Sequence, residues 1–264
     1  MKKRYPFRLG TTSYIIPDEI LPNTRYLAPL VDDIELVLFE VDDGYNNLPD
    51  QSVINELNTI ARGDDLTYTV HMPVDLNFLG DQNSLNTTLA KAKRTIDHTL
   101  ALNAWAYVLH LDGPELLLPS PPLSKQQWQE KALNFVAHLS KWLGDSTLLA
   151  VENLENYPLD LWDDVIRLAG TSRCIDIGHL WLNNHPPVPY LERRLRETRV
   201  IHIHGIDERD NSSLRHIPKA QLDEVFNELI RQNYQGVITI EVFNQEDFFS
   251  SRDIIQEFFD NQRS

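Results

Sequence analysis

The sequence alternates eight times between a short run of aliphatic and β-branched residues and a longer stretch with apolar residues at helical spacing. The strand-like runs are residues 7–13, 33–40, 66–72, 106–111, 148–153, 173–178, 200–204 and 236–243. Several are nearly continuous hydrophobics, as strands covered on both faces read in a parallel sheet. Between them, the stretch 85–102 puts Leu85, Leu89, Ala92, Ile96, Thr99 and Leu100 on one side. The stretch 125–143 does the same with Trp128, Ala132, Phe135, Val136, Leu139 and Leu143. In 220–233, Leu222, Val225, Phe226, Leu229 and Ile230 share a face, and Gly236 follows as a stop. Eight such units in 264 residues allow about 33 residues each. That suits a closed (β/α)8 barrel, which typically runs to roughly 250 residues. The rival is a doubly wound open sheet. Ten glycines and no Gly-x-Gly-x-x-Gly argue against its cofactor-binding form. No linker interrupts the pattern, so the expectation is an α/β chain forming one (β/α)8 TIM barrel domain over residues 1–264.

Composition narrows the partners. Lys plus Arg is 24 and Asp plus Glu is 39, a formal net charge of −15. Non-specific nucleic-acid binding needs many phosphate-neutralising cations, so a nucleic-acid partner is disfavoured. No run approaches the roughly 18–20 apolar residues of a membrane span. The basic start, Met1 to Pro6, is followed by no apolar core, so no signal peptide is expected. Cys174 is the single cysteine, which forbids an intrachain disulfide and fits a reducing cytoplasm.

The chemistry lies at the strand ends. Strand three ends at His71, strand four at His110, strand five at Glu152 and strand six at Asp176, with His179 one turn on. Strand seven carries His202 and His204, and strand eight ends at Glu241. In a parallel barrel the carboxyl ends of all strands open onto one face, where catalytic groups gather. One such His or Glu is ordinarily a hydrogen-bonded core or rim residue. Six consecutive strands each offering a donor at the same end point instead to a metal site. Imidazoles with carboxylates suit zinc, manganese or iron. Without a cation, so many carboxylates in one mouth carry a large desolvation and repulsion cost. His98 and His138 fall in helices and read as surface or packing residues. His185, in a Pro-rich loop, is a candidate substrate contact, and Trp181, after strand six, is a stacking candidate. The run Arg193 to Arg196 reads as a solvated helix face. The Pro-rich pieces 113–122 and 183–189 follow strands four and six and read as stiff loops beside the mouth. Asn77 and Asn153 stand beside the ligands as substrate-binding candidates.

These residues resemble the xylose-isomerase-like barrel superfamily, which includes the endonuclease IV type of enzyme (AP endonuclease family 2) and many sugar isomerases and epimerases. The segments that carry the resemblance are His71-Met72-Pro73 with Asn77, Val151-Glu152-Asn153, Asp176-Ile177-Gly178-His179, His204 with Asp207, and Glu241. The resemblance to the endonuclease IV branch implies up to three zinc ions. His71, His110 and Glu152 would hold one; Glu152, Asp176, His204 and Glu241 a second; His179 would help hold a third. The third site departs from that branch, which has Asp-x-His after strand seven. Here the stretch is Ser213-Leu214-Arg215-His216, where His216 is a candidate ligand and Leu214 is not one. Asp210-Asn211 is another placing of that region. His202 is expected one layer deeper than His204, behind the ligands.

A narrower resemblance joins Arg8 to Pro17, Val31 to Glu40, His202-Ile203-His204-Gly205 and Ile240-Glu241-Val242-Phe243 to the cobamide-remodelling phosphodiesterases of the superfamily. It implies hydrolysis of the nucleotide-loop phosphodiester of a cobamide by two or three divalent ions, zinc or manganese, with Glu152 and Glu241 catalytic. The expected partner is then a small-molecule phosphodiester, a corrinoid. The alternative is a Mn-dependent sugar or polyol isomerase or epimerase, in which two glutamates act as acid and base.

Overall fold

The computed structural model describes residues 4–41 and 44–262. Eight parallel strands close into one barrel in sequential order: β1 (Arg8–Thr12), β2 (Asp33–Val37), β3 (Thr67–His71), β4 (Ala106–Leu109), β5 (Leu149–Glu152), β6 (Ser172–Asp176), β7 (Thr198–Ile203) and β8 (Val237–Ile240). All eight expected runs contain or overlap an observed strand; six agree to within two residues at either end, while the runs 33–40 and 236–243 overshoot the ends of β2 and β8 by three, and closure excludes the open-sheet rival. The seam between β1 and β8 is reinforced by side chains: Thr11 Oγ1 donates to the Ile240 carbonyl at 2.8 Å and Thr12 Oγ1 to that of Val242 at 2.5 Å.

Helices α1 (Ile20–Leu27), α2 (Gln51–Asp64), α3 (Gln82–Thr99), α4 (Lys125–Leu143), α5 (Asp163–Ala169), α6 (Ile177–Leu182), α7 (Pro187–Arg194), α8 (Lys219–Arg231) and α9 (Gln245–Asn261) link or follow the strands. Their starts are written locally. Asp50, Asp81 and Asn244 accept from the backbone N–H groups of Val53, Ser84 and Asp247, and Ser124 with Gln127 forms a capping box. Gly144 ends α4 at φ +78°, a left-handed conformation that suits glycine. The expected buried face of α4 is the observed one, Trp128, Ala132, Phe135, Val136, Leu139 and Leu143. In α3 the face is rotated: Thr88, Lys91, Ala92, Thr95, Ile96 and Thr99 are buried, and Leu100 is exposed. Leu85 and Leu89 sit at the edge of that face, half-buried against the core, and Leu100 falls beyond the same edge at regular helical spacing. The second Pro-rich piece is not all loop. Pro187 opens α7, a position where its missing N–H is harmless.

Strand alternation divides the core. Ile34, Leu36 and Leu38 are buried in the shell between β2 and the helices. Asp33 and Glu35, also fully buried, alternate with them. Residues 1–3 of the basic start lie outside the described residues. Among the described residues no helix is long and apolar enough to cross a membrane.

The turn after β4, which carries His110, hangs from two buried indoles. Trp162 Nε1 donates to the Leu111 carbonyl at 3.0 Å and Trp128 Nε1 to the Asp112 carbonyl at 2.8 Å. Trp162→Phe keeps an aromatic ring in place and removes the donor to Leu111. Urea unfolding is expected to show a loss of about 1–3 kcal/mol; an unchanged midpoint would deny the indole N–H this role.

Candidate metal centre

The strand ends present their imidazoles in fixed orientations. A carbonyl oxygen can only accept, so a ring nitrogen bonded to one carries the proton. His71 Nδ1 donates to the Met72 carbonyl at 2.8 Å, His179 Nδ1 to that of Asn153 at 3.0 Å and His204 Nδ1 to that of Gly205 at 3.1 Å. In each ring Nε2 is left for another partner, the usual preparation of a ligating histidine.

Those nitrogens meet carboxylates. His110 Nε2 lies 3.0 Å and His71 Nε2 3.6 Å from Glu152 Oε2. His204 Nε2 is 3.3 Å from Asp176 Oδ1. His202 Nδ1 is 3.5 Å from Glu152 Oε1, 3.5 Å from Glu241 Oε2 and 3.9 Å from Asp176 Oδ2. Three donor groups result, each within 4.8 Å: His71 with His110 and Glu152; Glu152 with Asp176, His202 and Glu241; and Asp176 with His179 and His204. Glu152 joins the first two and Asp176 the last two. Cys174 approaches Glu152 and His202 in a further group, but burial pushes its thiol well above the usual range, which disfavours the thiolate a metal needs.

Asp176 is locked from both sides. Its Oδ1 accepts the His179 N–H at 2.7 Å as the cap of α6. The Asn153 amide accepts from Asp176 N and donates to Asp176 O, both at 3.0 Å. Asn153 therefore clamps β5 to β6: both ends of its amide are committed to the Asp176 backbone. Close approach does the rest. A Cβ on Gly178 would lie 2.0 Å from His204 Cε1, so only glycine lets this imidazole pass the first turn of α6.

The residues fit a divalent cation. Asp176 Oδ2, His202 Nδ1 and His204 Nε2 are buried without a hydrogen-bond partner. Each such orphan costs about 1–3 kcal/mol, and all three belong to the donor groups. The mixed imidazole and carboxylate set suits zinc or manganese. Burial opposes charge on Glu152, yet the His110 and His202 charges hold it well below the usual carboxylate range. Burial likewise opposes charge on His71, but the Glu152 hydrogen bond and nearby carboxylates raise it to about 9. His204, beside Asp176, is raised to about 9, and His179, beside Asp176 and Asp210, to about 11, both against burial.

Seven of the eight expected ligands thus converge. His216 does not: it joins none of these groups among the described residues, and its Nε2 lies 3.8 Å from Asp207. The cause is the 3-10 turn Leu214–His216. Leu214 is buried and its N–H bonds to Ser251 Oγ at 2.9 Å, which ties the turn to α9. Asp210 joins none of these groups either, but its carboxylate flanks the third one, 3.2 Å from His204 Nδ1 and 3.6 Å from His179 Nε2. His202, expected behind the ligands, enters the four-donor group. Its inward direction was legible from strand alternation, its depth was not. Asn77 Oδ1 accepts from the N–H groups of Leu79 and Gly80 at 3.1 and 3.2 Å, which folds the turn after β3. Asn77 also lines a cavity of about 230 Å³ with Asp112 and Glu115 on the loop after β4.

A family model described as xylose isomerase-like TIM barrel matches residues 31–260. The chain belongs to this family. Solved structures of similar fold include a D-tagatose 3-epimerase-like protein, with TM-score 0.78, 19% identity and coverage of 97% of this chain and 99% of that one. The 3-keto-D-glucoside 4-epimerase of E. coli gives 0.71 at 15% identity, covering 96% and 98%. Endonuclease IV of Thermus thermophilus gives 0.68 at 14% identity, covering 95% and 99%. No curated protein matches the sequence significantly. The family uses divalent metals, and the buried clusters of this member have the donors for them.

Imidazoles whose pKa values are about 9 and 11 hold protons at pH 7 that a cation must displace. Titrating metal-free protein with Zn²⁺ at pH 7, in two buffers of different ionisation enthalpy, is expected to show net proton release and an affinity that falls as pH is lowered. A buffer-independent heat would contradict the raised values. Gly178→Ala is expected to lower the metal bound per chain, read by elemental analysis of the folded variant, because His204 must leave its place.

Proposed function

We propose that this family member is a metal-dependent phosphodiester hydrolase. One observation carries the reading: His71 and His110 both flank Glu152 in a donor group of their own, beside the four-donor group that shares Glu152. A one-ion isomerase has no need of that extra pair as ligands, whereas a centre of two or more ions does. Zinc or manganese ions held there would offset the charge of the phosphate oxygens and supply nucleophilic water near neutral pH.

The chain's own residues do the remaining work. Glu152, buried between the two groups, orients the attacking water. Glu241 is the most open carboxylate of the four-donor group, its side chain 12% exposed against 1% for Glu152. Asn211 Nδ2 donates to Glu241 Oε2 at 3.1 Å and holds it at the mouth. There Glu241 serves as the acid–base group: it takes a proton from the water as the new P–O bond forms and returns one to the leaving oxygen. Asp176, His179 and His204 would hold any further ion, with Asp210 beside His179 Nε2 at 3.6 Å. The net charge of −15 repels a phosphodiester at long range, so the local positive charge must come from the cations.

The proposed substrate is a cobamide, cut in its nucleotide loop. The segments that resemble the cobamide-remodelling phosphodiesterases form β1 with its exit loop, β2, and the exits of β7 and β8, four places around the mouth. Metal-replete protein incubated with a complete cobamide, an abasic-site duplex and several ketoses is expected to yield a truncated corrinoid such as cobinamide phosphate. Ketose interconversion without a corrinoid product would overturn the reading. His110→Ala is expected to lose bound metal and at least about a hundredfold of the hydrolysis, since ligand loss removes the cation's several kcal/mol. Unchanged metal content and rate would refute the two-group centre.

A second reading has its own support. The four-donor group by itself could hold a single Mn²⁺ between Glu152 and Glu241, the pair an epimerase would use as acid and base. Two of the similar folds described above are epimerases or epimerase-like by name. One metal ion per chain at saturation favours this reading; two or three favour hydrolysis.

A further inference from the structure

Beneath the centre, Glu35 on β2 meets His202 on β7: Glu35 Oε2 lies 2.9 Å from His202 Nε2, and both side chains are fully buried. In the ring of strands β2 neighbours β1 and β3, and β7 neighbours β6 and β8. The contact therefore crosses the barrel interior rather than following the sheet. The other face of the same imidazole, Nδ1, is buried without a hydrogen-bond partner amid Glu152, Glu241 and Asp176.

We infer that Glu35 is a positioning residue that holds His202 with Nδ1 presented to the cation shared by Glu152, Asp176 and Glu241. A carboxylate accepts from Nε2–H, so the lone pair is left on Nδ1. Orientation differs from that of the other rings. His71, His179 and His204 give Nδ1 to backbone carbonyls and keep Nε2 free. His202 is held from Nε2 by a side chain and presents Nδ1. A carboxylate partner also makes an imidazole a more basic ligand than a carbonyl does, and such partners are worth roughly 10–100-fold in metal affinity in general. The nearby Cys174 thiol is a weak substitute, because sulfur is a poor acceptor. Without Glu35, Nε2–H would be a buried unpaired donor, and the ring would lose the partner that selects its tautomer.

The test uses metal alone, so it does not depend on which substrate is turned over. Metal-free wild type, Glu35→Gln and Glu35→Leu are titrated with Co²⁺, following its visible absorption, with circular dichroism to check the fold. Glu35→Leu is expected to weaken Co²⁺ binding by about 10–100-fold. Glu35→Gln, which keeps an acceptor and loses the charge, should lose less. Affinities within about twofold of wild type in both folded variants, a margin well below the general effect of such partners, would overturn the inference. A second measurement covers a variant that fails to fold. In ¹⁵N-histidine-labelled, Zn²⁺-loaded wild type, the His202 ring, assigned by its loss in His202→Asn, is expected to be protonated on Nε2 with Nδ1 shifted by the metal. A proton on Nδ1 would overturn it.

Discussion

Glu152 is the charge on which the arrangement turns. It is buried at the end of β5, where an isolated carboxylate would be expensive, and its ionised form survives through the imidazoles around it. His71, His110, His179 and His202 all lie within 3.7 Å of its oxygens. Those four rings come from β3, the exit of β4, α6 and β7, so closure of the barrel and ionisation of Glu152 are one problem. The sheet brings the rings in from distant stretches of chain, and the rings keep the carboxylate charged.

The interior below is also polar. Barrels usually fill this space with branched aliphatic layers. Here Glu35, Asp33, Thr69, Thr239 and His202 are fully buried. Burial pushes the Asp33 carboxyl up to about 7 even though Thr67 Oγ1 donates to it at 2.5 Å. Such groups destabilise a core unless they organise something. The Glu35–His202 bond organises the floor of the centre. Its hydrophobic counterweight lies outside the strands, where Ile34, Leu36 and Leu38 pack with the helices.

The walls of the site follow a different rule. Exits of β4 and β6 are held by bonds to backbone rather than by packing alone: two indoles on the turn after His110, and the Asn153 amide on Asp176. Loops that carry the candidate ligands are held by partners on neighbouring strands and helices. That is what a preformed metal site requires, since ligands must stand ready without the ion.

The fold and the set of converging donor side chains were legible in the sequence because both are periodic. Eight β–α units set the barrel, and a polar donor at the same point of six strands announced the centre. Position at the carboxyl ends of the strands placed His71, Glu152 and Glu241 at the mouth, and alternation put His202 on the same face as His204. Position along the barrel axis was not legible, because it depends on how neighbouring strands slide past one another. That stagger admitted His202 to the four-donor group and put Glu35 beneath it. Loops have no period at all. The turn anchored by Leu214 carried His216 away, while the Asn77 oxygen and the whole Asn153 amide are bonded to the backbone. The chain alone determined which chemical groups are present and at which end of the barrel; only the closed sheet and its anchored loops decided which of them touch.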